Sequence, residues 1–249
     1  MTILYFSTTG NNIYVAKKFG GKAISMVQAN KQEKLEFVDD QIGIVVPVYG
    51  LCIPPYVNEF LHKVTLRSPY IFGVVTYGFY AGATINQLEK IGKECGIPFA
   101  YINKLEMVEN YLPGFEMEKE KKKHADVDEK LSLIINDVKE KQKKITRATV
   151  VGKFLTKTHE MKYAYPIGIG TTTYFQVEDS CTGCGICGKV CPMDNIELKE
   201  KPVFGQQCSS CMACTQNCPK NAIRMTNEKS RARYRNEHVS LEEIIKANQ

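Results

Sequence analysis

Between residues 1 and about 113 the chain alternates two kinds of pattern. Short apolar, β-branched runs at residues 3–6, 42–48, 71–76 and 99–108, with a weaker one at 23–27, read as strands. The stretches 11–20, 55–64 and 83–95 between them read as helices. The apolar runs are continuous rather than alternating, as in strands covered on both faces. Strands and helices taking turns predict an α/β class: a doubly wound, five-stranded parallel sheet.

The pattern then changes. Residues 116–147 are charged, with Val127, Leu131, Ile134, Val138 and Ile145 on one narrow helical stripe. That is the last helix of the sheet domain, or a helix offered to a partner. Residues 110–115 form a turn-rich loop after the last strand. From residue 150 to 177 periodicity fades, and Gly152, Pro166, Gly168 and Gly170 interrupt any long element, so a linker is expected. Leu241, Ile244 and Ile245 give the C-terminus a short apolar helix face that packs back on a domain. The expected division is a sheet domain over 1–149, a linker over 150–177 and a small α+β domain with a tail over 178–249.

Within that small domain, Cys181-x-x-Cys184-x-x-Cys187-x-x-x-Cys191-Pro192 recurs 27 residues later as Cys208-x-x-Cys211-x-x-Cys214-x-x-x-Cys218-Pro219. Ile196 and Leu198 align with Ile223 and Met225 at the same offset, which marks an internal duplication. Two-residue gaps bring three thiolates to one tight loop, while the fourth reaches the other half. In this pattern the fourth Cys ligates the other 4Fe–4S cluster. One cluster is thus expected on Cys181, Cys184, Cys187 and Cys218, the second on Cys208, Cys211, Cys214 and Cys191. Gly183, Gly185 and Gly188 keep the first loop slim, and Ile186, Val190, Ile196, Ile223 and Met225 supply an apolar jacket. Zinc fits less well, because each run has one thiolate too many for separated CxxC pairs.

The first strand leads into Ser7, Thr8, Thr9, Gly10, Asn11 and Asn12 and then a helix. Small hydroxyls, amides and free N–H groups at a strand's carboxyl end make an anion seat. Without a Lys or a GxGxxG pattern, the seat is not of the nucleoside-triphosphate or dinucleotide kind. It suits a phosphate monoester such as that of FMN; a bare N-cap at Thr9 or Asn11 is the alternative. The third strand ends in Pro47, Val48, Tyr49 and Gly50, and the fourth in Thr76, Tyr77, Gly78 and Phe79, followed by Tyr80, Ala81 and Gly82. Such loops surround the switch point of a doubly wound sheet. Aromatics beside Gly allow stacking on a flat ring, or simple packing.

The order of elements, the 7–12 loop and the double cysteine run resemble the fused flavodoxin–ferredoxin proteins over nearly the whole chain. The family's phosphate loop, S/T-x-T-G-N-T, is matched at Ser7, Thr9, Gly10 and Asn11, while Asn12 replaces the final Thr. The Tyr49 and Tyr77 loops are not close matches to those of free-standing flavodoxins. The resemblance implies a flavodoxin-like fold that binds FMN, followed by a bacterial-type ferredoxin domain with two 4Fe–4S clusters.

Composition changes this picture little. A net charge of +6, with both signs interspersed, falls short of a nucleic-acid signature. No apolar run is long enough to span a bilayer, and no leader pattern opens the chain, so a cytoplasmic location is expected. Cys52 and Cys95 read as small buried hydrophobes, though Cys52 follows the flavin loop. His62, His124, His159 and His238 are isolated. Arg224, Arg231, Arg233 and Arg235 read as a solvated tail, or as a dock for an acidic partner or RNA. No catalytic constellation is present. The expected function is electron transfer between FMN, two clusters and a protein redox partner, as monomer or homodimer. A flavin-dependent reductase of a small acceptor and a ferredoxin with a flavin-free docking domain remain alternatives.

Overall fold

The computed structural model describes residues 1–123, 126–163 and 175–249. The first part runs β1 (Thr2–Tyr5), α1 (Asn11–Lys18), β2 (Lys22–Ser25), α2 (Met26–Ala29), β3 (Glu36–Val38), β4 (Ile42–Pro47), α3 (Pro55–Lys63), β5 (Thr65–Arg67), β6 (Ile71–Tyr77), α4 (Thr84–Glu94), β7 (Phe99–Glu106), α5 (Met117–Glu120), α6 (Val127–Lys139) and β8 (Lys144–Ile145). The chain continues through α7 (Val150–Tyr163), β9 (Phe175–Val177), α8 (Ile186–Lys189), β10 (Ile196–Leu198), β11 (Pro202–Phe204), α9 (Ala213–Gln216), β12 (Ile223–Met225) and α10 (Leu241–Asn248).

The main sheet has the order β2-β1-β4-β6-β7-β8, parallel throughout. Counting only its own strands along the chain, this is 2-1-3-4-5-6, the flavodoxin-like order with one strand added. The added strand, β8, is two residues long and pairs Lys144 and Ile145 with Tyr101 and Ile102. It was not expected because Ile145 continues the helical stripe in sequence. In the structure Leu131, Ile134 and Val138 of α6 bury against the sheet with Tyr101 and Phe72, and Ile145 belongs to the strand that follows. Each such aliphatic burial contributes about 1.5–3 kcal/mol. The stripe is therefore a packing face of the sheet domain.

Two further boundaries differ from expectation. The weak run at 23–27 splits, because the Ser25 hydroxyl accepts from the Val27 amide at 3.1 Å and starts α2 there. The expected linker contains α7, whose Thr156 hydroxyl accepts from the Ala83 amide at 2.8 Å. Its other end contains β9, which pairs antiparallel with β12. Pro166, Gly168 and Gly170, expected as breakers, lie outside the described residues.

The second half is built on the 27-residue repeat. β9 and β11, α8 and α9, and β10 and β12 are repeat mates, and β9–β12 and β10–β11 form two small antiparallel pairs. Left-handed backbone recurs at the same offset: Gly183 with Ser210, Gly185 with Met212, and Asp194 with Asn221. The first loop meets that requirement with glycine. The second does not, because Met212 is buried among Leu112, Met117, Met225 and Tyr234 and a side chain is needed there.

One apolar core crosses between the halves. Val190, Ala213, Val239, Ile244 and Ala247 bury in the same cluster as Ile13, Tyr14 and Phe72 of the sheet domain. The tail closes the joint: α10 opens with a capping box between Ser240 and Glu243, and Lys17 pairs with Glu243 at 2.7 Å. Among the described residues no helix is long and apolar enough to cross a membrane.

Candidate functional site between the sheet and the cysteine repeat

The loop after β1 sits at the switch point, where the chain leaves β1 for β2 on one side and β4 on the other. The side-chain cap allowed by the sequence at Thr9 or Asn11 is not made. Gly10 caps α1 at φ +96° without a side-chain bond to the helix. A Cβ there would lie 3.0 Å from Val239 and 3.1 Å from Asn236, so the glycine also admits the tail. Asn12 is buried and fixes the loop from within, donating to the Phe6 carbonyl at 2.8 Å and accepting from Thr76 at 2.6 Å.

The cysteine half packs directly on this loop. Thr8 Oγ1 donates to the Cys211 carbonyl at 3.2 Å and shares a 3.0 Å hydrogen bond with the Tyr49 hydroxyl. Asn217 and Asn248 donate to the Thr8 and Ser7 carbonyls at 3.0 and 3.1 Å. Tyr234 and Asn236 both donate to Asn11 Oδ1. Burial pushes the Tyr49 and Tyr234 phenols up, so both are hydroxyl donors at neutral pH. The Ser7 hydroxyl is buried with no hydrogen-bond partner among the described residues.

Two adjoining cavities border the loop. A small one of about 50 Å³ is lined by Ser7, Thr8, Thr9, Asn11, Asn12, Pro47, Thr76 and Tyr77. A larger one of about 350 Å³ is lined by Gly50, Phe79, Tyr80, Phe115, Ser209, Ser210, Cys211 and Met212. Val48, Tyr49, Gly78, Glu109 and Asn110 line both. The larger volume falls within the range of small-molecule and cofactor sites, about 300–1,000 Å³. The orphaned Ser7 hydroxyl and the uncapped start of α1 could hold an anion at the small end, and the aromatics could flank a flat ring at the large end. The residues fit a phosphate-bearing flat cofactor. Gly10 and Gly82 line neither cavity; Gly82 packs under Thr156 of α7.

Glu109 and Asn110 were not singled out in the sequence. Glu109 accepts from the amides of Phe79, Asn110 and Tyr111 at 2.9–3.0 Å, and Asn110 donates to Thr9 at 2.9 Å. Gly78 allows this clasp, since a Cβ there would stand 2.5 Å from Glu109. The switch-point rule that pointed to the loops after β4 and β6 points equally to the one after β7.

In the cysteine half, Cys181, Cys184, Cys187 and Cys218 line one cavity, with Ile186, Leu198, Pro202 and Ile223 as its apolar wall. Cys191 lies near enough to Cys208, Cys211 and Cys214 to act on each electrostatically. The fourth cysteine of each run thus meets the first three of the other. Backbone amides of Asn195, Ala222 and Ser210 donate to the sulfurs of Cys191, Cys218 and Cys208 at 3.3–3.5 Å. Burial pushes the Cys211 thiol up to about 12 and Cys214 well above its usual value. Free thiols here stay protonated, so binding of iron must drive their deprotonation. Among the described residues no three His, Cys, Asp or Glu side chains are placed to hold a single metal ion.

Arg224 and Arg233 differ from both expectations, whereas Arg231 and Arg235 are exposed, as in a solvated tail. Arg224 and Arg233 are largely buried and share Glu228, and Arg231 holds Glu178 at 2.7 and 3.1 Å. Among the described residues Arg235 has no such pair. Cys52 is buried, Cys95 is half-buried, and burial raises the Cys95 thiol. His62 and His238 are exposed, His238 stacking on Tyr14 at 4.9 Å. His124 and the His159 side chain lie outside the described residues.

Residues 180–223 match the family model described as "4Fe-4S dicluster domain". A search of curated proteins finds no match. Among solved structures, rubredoxin oxygen:oxidoreductase from the anaerobe Desulfovibrio gigas is similar at 14% identity and a TM-score of 0.34, covering 56% of this chain and 36% of that one. The Flv1 flavodiiron core from Synechocystis sp. PCC6803 is similar at 14% identity and 0.31, covering 55% and 36%. This chain thus spans about a third of either. A flavodoxin from the domain Archaea is similar at 11% identity and 0.25, covering 53% of this chain and 97% of that one. At such scores the fold rests on the strand order itself. That strand order, followed by the iron–sulfur match over residues 180–223, accords with the fused flavodoxin–ferredoxin arrangement that the sequence resembles.

Proposed function

We propose that the protein is an electron carrier that couples one FMN to two 4Fe–4S clusters within a single chain. The observation that carries this reading is the shared cavity. Tyr49, Gly50, Phe79 and Tyr80 of the sheet domain face Ser209, Ser210, Cys211 and Met212 of the second cysteine run across about 350 Å³. FMN exchanges one or two electrons and each cluster passes one, so the pair adapts two-electron to one-electron chemistry.

The residues divide the work. Ser7, Thr8, Thr9 and the start of α1 seat the phosphate, and Tyr49, Phe79 and Tyr80 flank the ring. Cys208, Cys211, Cys214 and Cys191 hold the cluster next to the cavity. Cys181, Cys184, Cys187 and Cys218 hold the one farther out, where Cys184 is exposed and a protein redox partner can approach. No side chain is needed as acid or base.

One observation favours the flavin-free reading. Thr8, Thr9, Asn11 and Asn12 already bond to protein groups, as in a loop used for docking alone. Anaerobic purification with iron, sulfide and flavin counts separates the two. The adaptor predicts about eight iron per chain, by the cluster type, with one FMN. Full iron without flavin leaves a ferredoxin with a docking domain.

A further inference from the structure

The two halves of the repeat are matched in backbone but not in charge. Arg224 of β12 occupies the place that Glu197 of β10 holds in the other half, 27 residues earlier. Glu197 is exposed and faces Lys199 at 3.8 Å. Arg224 is 15% exposed and shares the carboxylate of Glu228, itself 3% exposed, with Arg233, 8% exposed. Arg224 Nε also stands 3.9 Å from Glu178, which Arg231 holds, so three guanidiniums meet two carboxylates and leave one uncompensated positive charge.

That charge is aimed at one cluster site. Arg233 Nη2 donates to the Ile223 carbonyl at 3.3 Å, and Ile223 lines the cavity of Cys181, Cys184, Cys187 and Cys218. Cys218 and Arg233 are near enough to interact electrostatically. Arg224 Nη1 and Arg233 Nε are buried donors with no partner among the described residues. An unneutralised cation in a poorly solvated place stabilises added negative charge nearby more than it would in water.

We propose that the Arg224–Glu228–Arg233 group is a positioning and charge-setting element for the cluster on Cys181, Cys184, Cys187 and Cys218, raising its reduction potential above that of its pseudo-symmetric twin. This rests on the two-cluster reading above. Reduction adds one electron to a cluster and makes or breaks no bond, so a fixed charge acts on the potential directly.

The test is an EPR-monitored redox titration of the whole protein and three variants, each first shown to hold the wild-type iron content. Arg233→Gln removes a positive charge and should lower the higher-potential wave. Glu228→Gln removes the carboxylate and should raise the same wave. Arg233→Lys keeps the charge and should restore most of the wild-type value. The lower wave should stay in place throughout. A merely structural role predicts the same direction of shift for all three, and that result overturns the proposal, as do equal shifts of both waves or none. If Glu228→Gln fails to load iron, Glu178→Gln takes its place and, by removing the other carboxylate beside Arg224, should raise the same wave. A wild-type protein with half the iron instead defeats the two-cluster reading before any variant is measured.

Discussion

Asn12 shows how one residue can be legible as a position and illegible as a role. The sequence places it at the end of a phosphate-loop pattern, where a hydroxyl is the family's choice. In the structure its side chain turns inward, bridging the Phe6 carbonyl and the Thr76 hydroxyl in a buried setting. Replacing it with alanine removes the donor to the Phe6 carbonyl and leaves Thr76 only its 3.4 Å bond to the Val46 carbonyl, and an unsatisfied buried group costs about 1–3 kcal/mol. Asn12→Ala should lower unfolding stability by that amount in denaturant titration; an unchanged midpoint would contradict the role. The cysteines are the opposite case. Their spacing is local, so their convergence could be read without a fold, including the crossing of Cys191 and Cys218. Crossing makes a sharp genetic prediction. Cys181→Ser and Cys218→Ser should each lose the same cluster, and the double variant should hold as much iron as either single. Local ligation instead predicts that the double variant loses both clusters.

At the scale of elements, the strands of the sheet were legible because parallel, doubly covered strands read as continuous apolar runs. What was not legible is short or long-range. β8 has two residues, too few for any pattern. β9 hides in a stretch that looks like linker, although the 27-residue offset leads from β11 straight back to it. Asn217 and Asn248 reach the loop after β1 from 209 and 241 residues away, with no spacing to announce them. The tail helix α10 depends on its capping box and on Glu243. Lys17, with the Ser240 amide, holds the Glu243 carboxyl below its usual range. A lowered carboxylate contributes stability that is complete above its unfolded value of about 4.3 and fades as pH falls through the folded value. Protection of the α10 amides against hydrogen exchange, corrected for intrinsic rates, should therefore weaken below that pH. Ser240→Ala should weaken it at neutral pH as well, by about 1 kcal/mol. Protection unchanged in both experiments would mean that the clamp is held by apolar contact alone.

For the whole molecule, the two halves share one apolar core and one cavity, so the cysteine repeat is no appendage on a linker. Val239 and Asn236 fill the space that Gly10 leaves open. Gly10→Ala should therefore loosen the docking of the tail, measured as faster proteolysis near residue 236, without unfolding the sheet; resistance equal to wild type would contradict it. The consequence for function is that flavin and nearer cluster would be neighbours in one chain. The most direct measurement photoreduces the flavin in the anaerobic holoprotein and follows cluster absorbance in time. The account predicts cluster reduction at a rate independent of protein concentration. A rate that rises in proportion to concentration, or reduced flavin with clusters left oxidised, would contradict it.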